Sequence, residues 1–405
     1  MRRKIVCITK SIVKYAVTVL MCLSLAGCQG EIADSLNQPE TSEESQLSEN
    51  SEAEVPEDVV AEQIIESTEA ISEETSEDGT DGLGNTLDGV TVKPEVANRE
   101  ADFADQEETA LPEPTPEDAR VDLIFFMGQS NMSGCGGDAT LAPPVSEEAG
   151  MEYRSVSDPT KLYPIIEPFG INENRIGGLM EYPGGKKGSL VSSFINKYHE
   201  LTGRRVVAVS ASKGETSISD FNSDAVKADI ASRYAFAKSY LSNNGYPIGH
   251  IYVVWLQGES DALEYVDAAV YRTGLDDFMR PMFIDGLEKV FIITPGRTYD
   301  YKNLYNSIID MQKAICKESG YYALATTVLT GVSTEYMTDM YHYNQHVLNL
   351  VGEEAAKSVA YYAVNNEKKI VYDYREQTYI VPDGVDPSKQ VPDEPVDLTK
   401  INEMY

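Results

Sequence analysis

The sequence predicts an α/β domain of three layers: a doubly wound, mostly parallel sheet with helices on both faces and a small C-terminal hairpin as an accessory. Three observations carry this. From Arg120 onward short apolar runs alternate with longer amphipathic stretches, the pattern of strands joined by crossover helices. The segments after the first three runs are polar, as ligand-facing strand ends of open α/β sheets are. The alternation continues for about 250 residues, enough for one domain with a substantial core.

Five runs read as strands: VDLIFFM at 121–127, RRVVAVS at 204–210, HIYVVWLQ at 250–257, KVFIITP at 289–295 and YYALATT at 321–327. Helical spacing fills 189–203, closed by a C-cap glycine, then 225–245, 303–320 and 344–363. After these, KKIVYDYREQTYIVP alternates like a hairpin, and a Pro- and Asp-rich tail follows. The domain is thus expected over 119–366, with the hairpin and tail over 367–405.

The N-terminal part has a different character. A basic start (Arg2, Arg3, Lys4, Lys10, Lys14) precedes an apolar run from Ala16 to Gly27, too short to span a bilayer and typical of an export signal. Leu25-Ala26-Gly27-Cys28 resembles a bacterial lipobox, so residues 1–27 are expected to be cleaved and Cys28 lipidated, anchoring the chain outside the cytoplasm. Residues 28–118 are acidic, rich in Glu, Ser, Thr and Pro, and too poor in apolar groups to offset the entropy of folding. They are expected to form a tether reaching roughly 50 Å or more.

Charge excludes one function class. The chain carries 33 Lys+Arg against 66 Asp+Glu, a net charge of -33, which is opposite to what phosphate contacts require, so no nucleic-acid partner is expected. Of the five cysteines only Cys135 and Cys316 fall in the domain, and their spacing suggests two separate thiols.

The chemistry gathers at the strand ends: MGQSNMSG after the first, SASKGETSISDF after the second, WLQGESDA after the third and TDMYHYNQH after the fifth. A serine nucleophile needs a base, a group that orients the base, and donors for the oxyanion. Among four histidines, His199 and His250 read as structural and His346 as a helix-surface residue, whereas His342 has Asp339 three positions earlier. The constellation is Ser130, His342 and Asp339.

GQSNM, GETSI, WLQGESDA and DMYH, in that order, resemble the SGNH/GDSL hydrolase superfamily with its flavodoxin-like fold, and within it the sialate O-acetylesterase and acetylxylan-esterase type of carbohydrate esterase. The resemblance covers roughly residues 120 to 365. It implies Ser130 as nucleophile, His342 as general base and Asp339 as its partner. The implied oxyanion donors are the backbone N–H groups of Ser130 and Gly214 and the side-chain amide of Gln257. Glu259 is the alternative partner for His342 or a supporting group, and Asn131 is expected to brace the serine turn. The substrate implied is an acetylated carbohydrate, with no metal or cofactor. One departure stands out: where the family carries Gly-Gly-Thr, this chain has Gly214-Glu215-Thr216.

Two other classes stay open at this point. Asp339, His342 and His346 form D-x-x-H-x-x-x-H, and two histidines one helical turn apart are a zinc pattern found in metal-dependent carbohydrate N-deacetylases. A non-catalytic glycan-binding protein on an esterase-like fold would suit the tether and anchor equally.

Overall fold

The computed structural model describes residues 120–405. The expected signal, Cys28 and the acidic tether lie outside the described residues. In chain order the elements are β1 (Val121–Gly128), α1 (Ser130–Ser133), β2 (Gly150–Tyr153), β3 (Leu162–Pro164), α2 (Val191–Thr202), β4 (Arg205–Ser212), α3 (Ile218–Phe221) and α4 (Asp224–Asn243). There follow β5 (Ile248–Leu256), α5 (Glu259–Leu263), α6 (Ala268–Ile284), β6 (Lys289–Ile293), α7 (Asn306–Glu318), β7 (Tyr322–Thr326) and α8 (Gln345–Asn365). The hairpin β8 (Val371–Asp373) and β9 (Thr378–Ile380) and the short α9 (Ile401–Met404) end the chain.

The main sheet has the order β3-β2-β4-β1-β5-β6-β7, parallel except for the β2–β3 pair. β1 is central, with β4 on one side and β5 on the other, so the winding reverses around it. A crevice opens at such a reversal, at the carboxyl ends of the strands. Ser130 stands at that end of β1.

Alternation along β1 builds the three layers. Leu123, Phe125 and Met127 enter one core together with residues of α4, α6 and α7. Ile124 and Phe126 point the other way, into a core shared with α2 and α8. Successive side chains of a strand face opposite sides of the sheet, so a strand apolar at every position must be covered twice.

Gly128 ends β1 with φ of 148°, and a Cβ there would lie 1.9 Å from the Leu256 carbonyl oxygen. That oxygen accepts the N–H of Gln129 at 3.0 Å, while the Gly128 carbonyl accepts the N–H of Lys213 at 3.0 Å. The absence of a side chain lets β1 turn sharply while staying tied to the ends of β5 and β4.

The five expected strands, the four expected helices and the C-terminal hairpin are present. Three features differ from expectation. The edge strand β3 and its neighbour β2, of three and four residues, are too short to rise above their loop surroundings in the sequence. Helix α6 was not expected, although Tyr271, Leu275, Phe278, Met279 and Met282 line its buried face; Pro281 near its end interrupts the pattern. The tail does not trail away, because the fully buried Ile401 joins the α2–α8 core.

Replacing Gly128 with alanine should push the β1 turn off Leu256 and lower stability by about 2 kcal/mol or more. Urea unfolding measures this, and a wild-type midpoint would show that the turn tolerates a side chain.

Candidate active site

Ser130 opens α1, and Gly134 closes that helix in the left-handed conformation, with φ of 78°. A four-residue helix cannot hold itself, since nucleation is unfavourable. It is held by its neighbours. The Asn131 amide nitrogen donates to Glu259 Oε1 at 3.0 Å and to the Tyr341 carbonyl at 3.2 Å, and its oxygen accepts the N–H of Tyr343 at 3.3 Å. Tyr341 and Tyr343 flank His342. The residue after the serine therefore grips both sides of the histidine in the chain.

The histidine loop packs closely behind this grip. A Cβ on Gly136 would come within 2.7 Å of His342 Cβ and 2.4 Å of the Tyr343 carbonyl oxygen. The fully buried Tyr343 accepts the N–H of Arg297 at its hydroxyl, 3.0 Å away, which ties the loop to the segment after β6.

Asp339 and His342 form the expected pair. His342 Nδ1 lies 2.7 Å from Asp339 Oδ2, and Asp339 Oδ1 accepts the N–H groups of Tyr341 at 2.8 Å and His342 at 2.9 Å. Burial works against the Asp339 charge. The bond to and charge of His342, with the two backbone donors, overcome it and hold the Asp339 pKa below its ordinary value. With Nδ1 engaged by a carboxylate, Nε2 is the nitrogen left to accept a proton.

Glu259 makes a different contact: its Oε1 accepts from Asn131, and Oε2 has no hydrogen-bond partner. Burial raises its pKa, while the Asn131 bond and the nearby His342 act in the opposite direction. The geometry thus separates the two acids, with Asp339 on the imidazole and Glu259 on the amide that holds the imidazole's loop.

Gly214 lies beside Ser130: a Cβ on it would be 3.6 Å from Ser130 Cβ. Its N–H, an expected oxyanion donor, donates to Glu181 Oε2 at 2.7 Å. Glu181 is buried and comes from the loop between β3 and α2, which the sequence did not single out. Only folding brings it to Gly214, and no periodicity marks it. Glu215 adopts φ of 57°, in the left-handed region where glycine is favoured, with an exposed side chain 3.5 Å from the Tyr182 hydroxyl. The departure from Gly-Gly-Thr thus falls at a position whose backbone suits glycine.

The expectation for Gln257 is corrected. It is fully buried, its amide nitrogen donates to Asp261 Oδ2 and, at 3.0 Å, to the Thr216 carbonyl, and its oxygen accepts from the Tyr271 hydroxyl at 2.7 Å. Both amide hydrogens are engaged within the protein, so the side chain braces the GETSI turn and has none to offer an oxyanion. Asp261, which also accepts the N–H of Ile218, is pushed up to about 6 by burial. Gln129 has a similar bracing role, its carbonyl accepting the N–H of Ser260 at 3.2 Å at the start of α5.

The zinc pattern dissolves in three dimensions. Helix α8 begins at Gln345, so His342 and His346 do not share a helix, and His346 Nδ1 pairs with Asn402 at 3.0 Å. Among the described residues no three His, Cys, Asp or Glu side chains converge as a ligand set. His199 bonds the Arg204 carbonyl and His250 bonds Glu288, both structural contacts. Cys135 and Cys316 are free thiols.

Asn131→Ala should lower the rate of ester hydrolysis roughly 100-fold by releasing the His342 loop. It should also lower stability by about 1–3 kcal/mol by stripping Glu259 of its partner. Rates and urea unfolding measured together check this, and an unchanged rate would show that Asn131 does not position the histidine.

Comparison with known proteins matches residues 120–361 to the family described as carbohydrate esterase, sialic acid-specific acetylesterase. No curated protein matches. Among solved structures, a protein of Arabidopsis thaliana aligns at 17% identity and a TM-score of 0.45, covering 61% of this chain and 99% of that one. A structure described as a novel carbohydrate acetylesterase from Xanthomonas citri aligns at 14% identity and a TM-score of 0.39, covering 61% and 57%. With its serine, histidine and acid motifs all inside the matched span, the chain belongs to the sialic acid-specific acetylesterase family of carbohydrate esterases.

Proposed function

We propose that this esterase removes acetyl groups from acetylated sugars through a Ser130–His342–Asp339 mechanism, anchored outside the cytoplasm by a lipid on Cys28. The observation that carries the mechanism is the Asn131 grip, which ties the Ser130 turn to both peptide groups beside His342 while Asp339 fixes the imidazole.

In the first half-reaction Ser130 Oγ attacks the acetyl carbonyl carbon and its proton passes to His342 Nε2. The carbonyl oxygen becomes an oxyanion facing the N–H groups of Ser130 and, in place of the Glu181 carboxylate, Gly214. The bond to the sugar oxygen then breaks, and the histidine proton goes to that oxygen. In the second half, water gives a proton to His342 as it attacks the acetyl-serine. Collapse releases acetate and returns the proton to Ser130 Oγ. Asp339 stays ionised throughout and stabilises the imidazolium.

Exposed tyrosines support a sugar substrate. Tyr182 follows Glu181 in the chain, and Tyr299 donates its backbone N–H to the Met340 carbonyl at 2.9 Å, beside the catalytic loop. Aromatic faces with polar edges suit rings that are apolar on one side and hydroxylated at the rim.

Ser130→Ala and His342→Ala should abolish acetate release from acetylated xylan and O-acetylated sialic acid, and Asp339→Asn should reduce it roughly 10⁴-fold, with EDTA having no effect. Glu259→Gln should cost less than Asp339→Asn. Activity persisting in Ser130→Ala would end the serine reading, and loss with EDTA alone would favour the deacetylase. Glycan binding without turnover would favour the binder. Cys28→Ala should move the protein from the membrane fraction to the medium, and continued membrane retention would contradict the anchor.

A further inference from the structure

Glu181 holds the N–H that the tetrahedral intermediate needs. Its Oε2 is 2.7 Å from Gly214 N, and Oε1 would lie 3.2 Å from a Cβ on Gly214, next to Ser130. Two anions cannot share one N–H at close range without strong repulsion, so Glu181 and an oxyanion on Gly214 exclude each other. When the ester carbonyl takes Gly214, the Glu181 carboxylate loses its shortest hydrogen bond.

The remaining surroundings do not replace that bond. Glu181 is 4% exposed. Its Oε1 accepts the N–H of Tyr182 at 3.2 Å. The nearby cations already have partners: Lys186 Nζ, whose charge is coupled to Glu181, gives two of its three N–H groups to the Ser210 and Ser212 hydroxyls at 3.0 and 3.3 Å, and Lys213 Nζ donates to the Gly214 carbonyl at 2.9 Å. Losing a short hydrogen bond is costly to a buried carboxylate, and a ligand that brings a donor to the same place offsets the loss. On a partly acetylated sugar, the hydroxyl on the carbon next to the ester is a donor that arrives together with the acetyl group.

We propose that Glu181 is the specificity-determining residue of this site, accepting a hydrogen bond from the free hydroxyl adjacent to the scissile acetyl ester. The substrate class is then sugars acetylated at one of two neighbouring positions. Simple aryl or alkyl acetates, and sugars whose adjacent hydroxyl is blocked, are poor substrates. A site built to bond a hydroxyl rejects an analogue that lacks it because the protein's own group is left unpaired. Gly185 leaves room for the Glu181 side chain itself, since a Cβ there would lie 2.8 Å from Glu181 Cγ.

This inference rests on Ser130 as nucleophile and Gly214 as oxyanion donor. The test measures kcat/KM on a mono-acetylated xylo-oligosaccharide, on the same sugar with the adjacent hydroxyl methylated, and on p-nitrophenyl acetate, for wild type, Glu181→Ala and Glu181→Gln. Wild type should prefer the free-hydroxyl sugar over its methylated form by about 100-fold or more, and Glu181→Ala should shrink that ratio to about 10-fold or less. In Glu181→Ala the rate on p-nitrophenyl acetate should rise while that on the free-hydroxyl sugar falls. A ratio unchanged by either substitution would overturn the proposal. So would a uniform rise on all three substrates, which makes Glu181 a plug, or a uniform fall, which makes it structural. Ser130→Ala serves as the control: activity surviving it on any of the three would mean that the serine reading had failed, not the assignment of Glu181.

Discussion

The side-chain amide of Asn131 is the contact on which the site depends. Its three hydrogen bonds reach two parts of the chain: the Glu259 carboxylate after β5, and the His342 loop through the Tyr341 carbonyl and the Tyr343 N–H. Without it, the four-residue helix that begins at Ser130 and the loop that carries His342 would be joined mainly by packing. An amide can donate and accept at once, which is why this residue type can hold both sides of His342. A carboxylate at the same position could only accept, and an aliphatic group could do neither.

That contact is possible because the sheet brings distant segments to one edge. β1 lies at the centre, where the winding reverses, so its carboxyl end faces the ends of β4 and β5. Gly128 lets β1 turn under the Leu256 carbonyl, which sets Ser130 at the carboxyl end of the strand. Beneath them lies a layer of buried polar side chains with assigned partners: Gln257 with Asp261 and Tyr271, and Gln129 with the start of α5. Satisfied buried networks of this kind fix one geometry and are costly to leave half-made. The division of work between carboxylates follows from their surroundings. Asp339 has a histidine and two backbone donors that outweigh its burial, whereas for Glu259 burial outweighs the Asn131 amide and its own backbone N–H and raises its pKa.

Much of this was legible in the sequence where the signal is local. The central strands are apolar at nearly every position, and Asp339 stands three positions before His342, so both could be read from spacing. Strands of three and four residues leave no such trace, and Pro281 obscured α6. The role of Gln257 was misjudged because its motif gives its place at a strand end but not the direction of a long side chain. Its partners Asp261 and Tyr271 come from α5 and α6. Glu181 was missed for a related reason. Its importance lies in a bond to Gly214, 33 positions away, in a loop with no periodicity.

The central claim is that Ser130 carries the acetyl group in transit. The most direct measurement is to trap the protein with a fluorophosphonate or by rapid acid quench during turnover of an acetylated sugar, and to map the modified peptide by mass spectrometry. The expected result is a single adduct on Ser130 whose formation slows sharply in His342→Ala. An adduct on another residue, or acetate release continuing at full rate after Ser130 has been blocked, would contradict it.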